Sequence, residues 1–390
     1  MKSESMSEID LKEQEVLDRK ALFANVRRVV VKLGTRVVTA RGNALDLAVI
    51  DRLAADIARL QARGVQVAIV SSGAVGAGMG RLGLVERPRR LAELQATAAV
   101  GQGLVMNAYK QAFERHNISV GQVLLTSDDL DNRPRYVNAR NTLEQLFRYG
   151  VVPVINENDS VAVEELQLSV GENDRLAALV SHLVDAQALV LLTDVDGLFS
   201  CDPSRDPDAQ LVRFVKGVST DLYETVGAKG SAMSRGGMRT KLKAAEAVTQ
   251  GGKMAVIANG CIHGLGEILE GADHGTLFVP GDRSLSGKAL WLAHSRKRGG
   301  VVVDDGAAVA LSDGGKSLLP SGIINVMGDF DAGELIGVET EQRVEIARGL
   351  ARFGAVDVRR IQGKKTPEVA SLLKVDNGAV VIHRDDMVVF

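Results

Sequence analysis

Short apolar runs recur through the first 280 positions, each closed by small or polar residues and followed by a longer stretch of helical period. Val26 to Leu33, Val65 to Val70, Ile118 to Leu125, Val151 to Ile155, Ala188 to Leu192 and Met254 to Ala258 show little alternation, which predicts strands buried on both faces. Helices are predicted over 46–63, with Asp46 as N-cap, and over 90–116, 136–149, 175–183 and 237–250. Apolar strands alternating with helices imply an α/β fold, a three-layer αβα sandwich around a mainly parallel sheet. The pattern changes after Pro280. A polar, glycine-containing passage over 281–298 reads as a linker, and short β-rich segments broken by Gly and Asp turns follow, as in a small β-barrel. The expected organisation is an extension over 1–25, either disordered or a frayed helix, then a domain over 26–280, the linker, and a second domain over 299–390.

Composition narrows the function classes. The chain of 390 residues carries 47 basic and 49 acidic side chains, so it offers no general electrostatic footprint for nucleic acid or an anionic membrane. No apolar run is long enough to span a bilayer and the N-terminus lacks a signal-peptide core, so a soluble, cytoplasmic protein is expected. Cys201 and Cys261 stand far apart and read as ordinary small residues. The histidines at 116, 182, 263, 274, 294 and 383 show no i, i+4 pairing or metal-ligand grouping, so no protein-held metal is expected.

Polar residues gather where the strands end. In V-V-P-V-I-N-E-N-D, Asn156, Glu157, Asn158 and Asp159 follow a strand, at the sheet edge where open α/β sheets bind ligands. Carboxylates and amides so close together suit a small zwitterion, although the same residues could simply cap the next element. V-V-V-K-L-G-T sets Lys32 and Gly34 at another strand end, a fixed cation beside an approachable amide, which suits a phosphate or an ordinary turn. S-S-G-A-V-G-A-G places Ser72 and Gly73 ahead of a helix, for a ligand or for tight packing. In G-E-N-D-R-L, Asn173 and Asp174 open a helix; Asp174 is either an N-cap or a carboxylate that holds lysines in place. L-L-T-D-V-D-G-L brings Thr193 and Asp194 to a turn, and S-R-G-G-M-R-T-K puts Gly236 and Gly237 before a helix bearing Lys241, a second phosphate cradle. No P-loop is present and no G-x-G-x-x-G follows a first strand, so neither a P-loop nor a Rossmann dinucleotide site is supported.

Taken in order, V-K-L-G-T, S-S-G-A-V-G-A-G, V-P-V-I-N-E-N-D, G-E-N-D, L-L-T-D-V-D-G-L and G-G-M-x-T-K resemble the amino acid kinase family, most nearly its glutamate 5-kinase branch, over about residues 27–280. V-V-V-D-D-G-A-A-V-A-L with S-L-L-P-S-G-I and G-D-F resembles the PUA domain. The resemblance implies ATP-dependent phosphorylation of the γ-carboxylate of L-glutamate, the first step of proline synthesis, with Mg²⁺ on the ATP phosphates. Lys32 and Lys241 would neutralise the transferring phosphoryl group and Asp174 would orient them. Ser72, Gly73, Asn156, Asp159 and Asn173 would hold glutamate. Lys32, Gly34, Thr193, Asp194, Gly236, Gly237 and Lys241 would contact ATP. Proline feedback, association with glutamate-5-semialdehyde dehydrogenase and a homo-oligomer, dimer or tetramer, are further family expectations.

Arg235, before the glycine pair, and Arg36, after Lys-Leu-Gly-Thr, depart from the family's usual small or polar residues, and the N-terminal extension has no assigned role. Two alternatives remain: a kinase acting on another acidic substrate such as N-acetylglutamate, or an RNA-associated or regulatory protein acting through the PUA domain. Residues 299–390 hold 14 acidic and 10 basic side chains, which counts against a polyanion despite a local group of Arg359, Arg360, Lys364 and Lys365.

Overall fold

A computed structural model describes residues 18–40, 44–161, 172–203, 206–219, 222–223, 234–282, 284–285, 287–312, 315–373 and 380–390. The chain divides into two compact units, Met1–Ser284 and Leu285–Phe390.

In the first unit the elements run α1 (Arg19–Ala24), β1 (Arg28–Leu33), α2 (Thr35–Val38), α3 (Leu47–Ala62), β2 (Gln66–Ser71), α4 (Ala74–Leu82), α5 (Leu91–Glu114), β3 (Val120–Leu125), α6 (Ser127–Asp131) and α7 (Arg133–Arg148). They continue as β4 (Val152–Glu157), α8 (Glu172–Leu183), β5 (Ala188–Thr193), β6 (Phe214–Lys216), α9 (Ser234–Gln250), β7 (Met254–Asn259), α10 (Leu265–Leu269) and β8 (Thr276–Val279). Eight strands form one sheet in the order β3-β4-β2-β1-β5-β7-β8-β6. Every pairing is parallel except β7 with β8. The strands sit between two apolar layers, which is why their sequences do not alternate. Val29, Val31 and Leu33 face a core with Ile57, Tyr109 and Phe113. Val30 faces a second core with Leu143, Val180 and Leu242. This is the expected αβα sandwich, and it brings the C-terminal ends of β1, β2, β4, β5 and β7 to one edge.

Local chemistry sets the helix limits. The Asp46 side chain accepts from the Ala48 and Val49 amides, so Asp46 is the N-cap anticipated for α3. Thr126 and Asp129 form a capping box on α6. At the N-terminus α1 is built into the unit: Phe23 is buried, and the Arg19 guanidinium donates to the carbonyls of Arg213 (2.7 Å), His274 (2.8 Å) and Gly275 (3.1 Å). Residues 1–17 of the expected extension lie outside the described residues.

The second unit contains α11 (Gly287–His294), β9 (Gly299–Val303), α12 (Asp305–Ser312), β10 (Ile323–Met327), β11 (Leu335–Glu339), β12 (Glu345–Leu350), α13 (Ala355–Ile361), α14 (Thr366–Leu373) and β13 (Met387–Val389). Its five-stranded sheet has the order β10-β9-β11-β12-β13, antiparallel except for β9 with β11. Two segments differ from the sequence reading. Within the expected linker, 287–294 is helical, because Leu292 and Ala293 bury their side chains with Leu335 and Val388. The run A-V-V-I-H supplies no strand among its described residues; Val381 and Ile382 are fully buried, and Ile382 makes a single bridge to Leu318.

Candidate functional site

Two clusters meet at the start of α8, one on each of two consecutive side chains. Asp174 is 1% exposed and stands between two lysines. Its Oδ1 lies 2.7 Å from Lys32 Nζ, at the end of β1, and its Oδ2 lies 3.3 Å from Lys241 Nζ, in α9. Thr240 Oγ1 donates to the same Oδ2 at 2.8 Å, and Lys241 Nζ also reaches the Gly237 carbonyl at 3.2 Å. Lys32 and Lys241 are 5% and 9% exposed, so the three charges share a nearly dry space.

Burial sets the direction of each titration before pairing modifies it. The Lys32 ammonium is held below the usual lysine range by burial, with Asp174 pulling it back up and Lys241 pushing it down again. Burial alone would raise the Asp174 carboxyl, but the two ammonium groups, with hydrogen bonds from Lys32 and Thr240, hold it below the usual range. The site is therefore two cations on one anion, with a net charge of about +1 in low dielectric, an arrangement that attracts a further anion.

Asn173 carries the second cluster. Its Nδ2 donates toward Ser72 Oγ (2.9 Å), Asn156 Oδ1 (3.0 Å) and the Ser71 carbonyl (3.2 Å). Asn156 Nδ2 in turn donates to Gln102 Oε1 at 2.8 Å. Among the described residues, two amide atoms of this network, Asn173 Oδ1 and Gln102 Nε2, are buried without a hydrogen-bond partner. One is an acceptor and the other a donor, and leaving each unmade costs about 1–3 kcal/mol, so the network suits a ligand that carries both complements.

Around these clusters the backbone comes close. Gly34 N–H donates to the Leu192 carbonyl at 3.0 Å, tying the end of β1 to β5. A Cβ at Gly34 would stand 3.8 Å from Lys32 Nζ and 3.9 Å from Thr193 Cα, so Gly34, Lys32 and Thr193 are neighbours. Thr193 Oγ1 donates to Asp194 Oδ1 (3.2 Å), while Asp194 Oδ2 pairs with Arg36 Nη1 (2.8 Å). Arg36, read from sequence as a departure, thus has a partner at this edge. Gly73 is the N-cap of α4 with φ of 101°, and a Cβ there would come within 2.8 Å of Val38 Cγ2, which explains the glycine. Asp159 sits in the turn after β4, half-buried; burial pushes its carboxyl up to about 6, with Arg87 partly offsetting the rise.

One sequence expectation changes in detail, and of the two alternatives for Asp174 the contacts match the one that holds lysines. Gly236 and Gly237 do not precede their helix but lie in its first turn, since α9 begins at Ser234. Glycine is tolerated there because first-turn amides lack helical partners in any case. Asp174 falls inside α8 and spends its carboxylate on the lysines and Thr240 rather than as an N-cap. The side chain of Arg235 lies outside the described residues. Gln102 and Thr240 were not anticipated. Thr240 stood in the G-G-M-x-T-K motif, whereas Gln102 is mid-helix in α5 with no local signal.

Asp174 and Asp194 have both oxygens engaged, by Lys32, Lys241 and Thr240 and by Thr193 and Arg36. They are poor ligands for a resident Mg²⁺, and an ion here fits better on a bound polyphosphate. No helix among the described residues is long and apolar enough to cross a membrane.

The model of the amino acid kinase family matches residues 27–259, and that of the PUA domain matches 299–373. The glutamate 5-kinase of Pelobacter propionicus is 44% identical over 373 residues, covering 95% of this chain and 100% of that protein. Those of Citrifermentans bemidjiense and Moorella thermoacetica are 46% and 45% identical, over 95% and 94% of this chain and 99% and 97% of theirs. Among solved structures, the carbamate kinase from Giardia lamblia bound to AMP-PNP aligns with a TM-score of 0.48 and 18% identity, over 66% of this chain and 99% of that one. The chain belongs to the amino acid kinase family, in its glutamate 5-kinase branch with a C-terminal PUA domain.

Proposed function

We propose that the protein transfers the γ-phosphoryl group of ATP to the γ-carboxylate of L-glutamate, giving L-glutamyl 5-phosphate for proline synthesis in the cytoplasm. The observation that carries this reading is the placement of Lys32 and Lys241 on the two oxygens of one buried carboxylate. Phosphoryl transfer between two anions needs charge neutralisation and alignment more than acid–base chemistry. A glutamate carboxylate, with a reference pKa of about 4.3, is already ionised at neutral pH and requires no general base. Lys32 and Lys241 therefore act on the migrating phosphoryl group, and Asp174 positions them.

Gly34, Thr193, Asp194, Gly236 and Gly237 contact ATP in this reading, and Mg²⁺ enters on its phosphates. Ser72, Gly73, Asn156, Asn173 and Asp159 hold glutamate. The orphaned donor of Gln102 and acceptor of Asn173 match the carboxylate and ammonium ends of a free amino acid. Asp159 adds the argument against N-acetylglutamate, since an acetylated amine would leave that half-buried carboxylate without the substrate ammonium as a partner. Feedback by proline, transfer of the labile acyl phosphate to glutamate-5-semialdehyde dehydrogenase, and a homo-oligomer belong to the same proposal.

An ATP-dependent hydroxamate assay compares L-glutamate, L-aspartate and N-acetyl-L-glutamate. Product with L-glutamate well above the other two is expected. Equal or greater product with N-acetyl-L-glutamate, or product independent of ATP, would overturn the reading.

A further inference from the structure

The spacing of the histidines taken alone conceals a grouping that the fold assembles. His263 and Glu267 stand four residues apart across the start of α10, and His274 lies just before β8. The two imidazole rings stack with centroids 3.7 Å apart and 14° between planes, and Glu267 Oε2 lies 3.6 Å from His274 Nε2. One donor atom from each of the three side chains lies within 4.8 Å of the other two. The histidines show no metal-ligand grouping along the sequence, but the fold supplies one, with Glu267 as its carboxylate.

We propose that His263, Glu267 and His274 bind a divalent transition-metal ion of the Zn²⁺ class, apart from the lysines that act on phosphate. Two imidazole nitrogens and one carboxylate oxygen form a ligand set that favours Zn²⁺ over Mg²⁺, which prefers oxygen and retains its water. Bonds of about 2.0–2.2 Å in a tetrahedral site separate ligand atoms by about 3.4 Å, close to the 3.6 Å between Glu267 Oε2 and His274 Nε2. Stacked rings direct their in-plane lone pairs along lines that do not converge. Binding therefore turns one ring out of the stack while the backbone stays in place.

That backbone is well tied. His263 N–H donates to the Asn259 carbonyl (3.0 Å), Gly264 N–H donates to Glu267 Oε2 (3.3 Å), and Arg19 holds the His274 carbonyl (2.8 Å). Glu267 is exposed and both imidazoles are partly so, which leaves an entry path and room for water to complete the coordination. The ion would link the turn after β7 to the approach to β8. Asn259 extends the link, because its Nδ2 donates to Asp196 Oδ1 at 2.8 Å, in the loop that follows Thr193 and Asp194.

The test is calorimetric titration of chelator-stripped, full-length protein with ZnCl₂ in excess MgCl₂. One Zn²⁺ per chain is expected, with affinity at least tenfold weaker in His274→Gln and in Glu267→Gln. Glu267→Gln changes an exposed side chain and so guards against a folding defect in the histidine variant. Cys261→Ser, which removes the exposed thiol nearby, should bind like the wild type. Each variant is checked for unchanged ATP-dependent activity in zinc-free buffer with Mg²⁺. Absence of saturable Zn²⁺ binding by the wild type, undiminished binding in Glu267→Gln, or loss of binding in Cys261→Ser with retention in His274→Gln would overturn the proposal.

Discussion

A buried carboxylate that serves two ammonium groups cannot be replaced without consequence for both. In Asp174→Asn the lysines lose their shared anion, and kcat should fall by roughly 10²-fold or more while both KM values move only a few-fold. The pH profile should change as well. Burial already holds the Lys32 pKa down and Asp174 is the partner that raises it. Without that partner, Lys32 loses its proton at lower pH, so the alkaline limb of the kcat profile should shift toward neutrality. An effect confined to KM, with the limb unmoved, would count against Asp174 as a positioning residue. Asp159 reports on the other substrate. Its carboxyl titrates near 6 because burial disfavours the charged form, so it is protonated below that pH and offers an ammonium group no anion. In the wild type, kcat/KM for glutamate should climb as pH rises through about 6 and then level off. Asp159→Asn should flatten that limb and raise the glutamate KM about 10- to 100-fold, as expected for a lost charged hydrogen bond worth roughly 1.5–3 kcal/mol, with the ATP KM unchanged.

Helices α4 and α5 set the proposed glutamate side of the site by approaching closer than ordinary side chains permit. A Cβ at Gly101 would fall 1.8 Å from the Ala74 carbonyl, and one at Gly78 would fall 1.9 Å from the Thr97 carbonyl. Gly101 neighbours Gln102, and Ala74 follows Gly73, so this crossing fixes both the amide network and the loop beside it. Gly101→Ala must push the helices apart, at an overpacking cost of about 1–3 kcal/mol. We expect a lower Tm together with a raised glutamate KM, and an ATP KM close to wild type. A lower Tm with the glutamate KM unmoved would show that the crossing supports stability alone. The same pair of helices marks the limit of what the sequence displays. β1, β2, β4, β5 and β7 were legible because each is a continuous apolar run, and the first four end in candidate site residues. Lys32, Asn156, Asp174 and Thr193 stood out because they interrupt such runs or open helices, and Lys241 because it follows a glycine pair. Gln102 did not, since it sits in an unbroken helical pattern and gains its partner only when α5 packs beside β4. The three- and four-residue strands β6 and β8 are too short for periodicity to reveal. The pairing of His263 with His274 depends on the antiparallel return from β7 to β8, which no local pattern encodes.

At the scale of the whole molecule, the PUA unit leaves the RNA-directed reading open to a direct physical argument. Among the 92 positions from 299 to 390, acidic side chains exceed basic ones by four, whereas binding to a polyanion gains its affinity from lysines and arginines that displace counterions. The local basic group is also partly spent within its own fold. Arg359 pairs with Asp329 at 3.0 Å and donates to the Gly328 carbonyl, and Arg360 pairs with Asp357 at 3.3 Å. A phosphate backbone would have to displace those carboxylates to recruit the arginines, leaving Lys364 and Lys365 as the readier contacts. Two such contacts supply only a shallow salt dependence and little non-specific affinity. The full-length protein should therefore leave the anisotropy of a labelled single-stranded RNA unchanged at roughly 10 µM protein and physiological salt, where non-specific binders with dissociation constants of about 10⁻⁴–10⁻⁶ M register. Saturable binding in that range, weakened by Lys364→Ala and Lys365→Ala, would restore an RNA role for this unit alongside the kinase chemistry of the first.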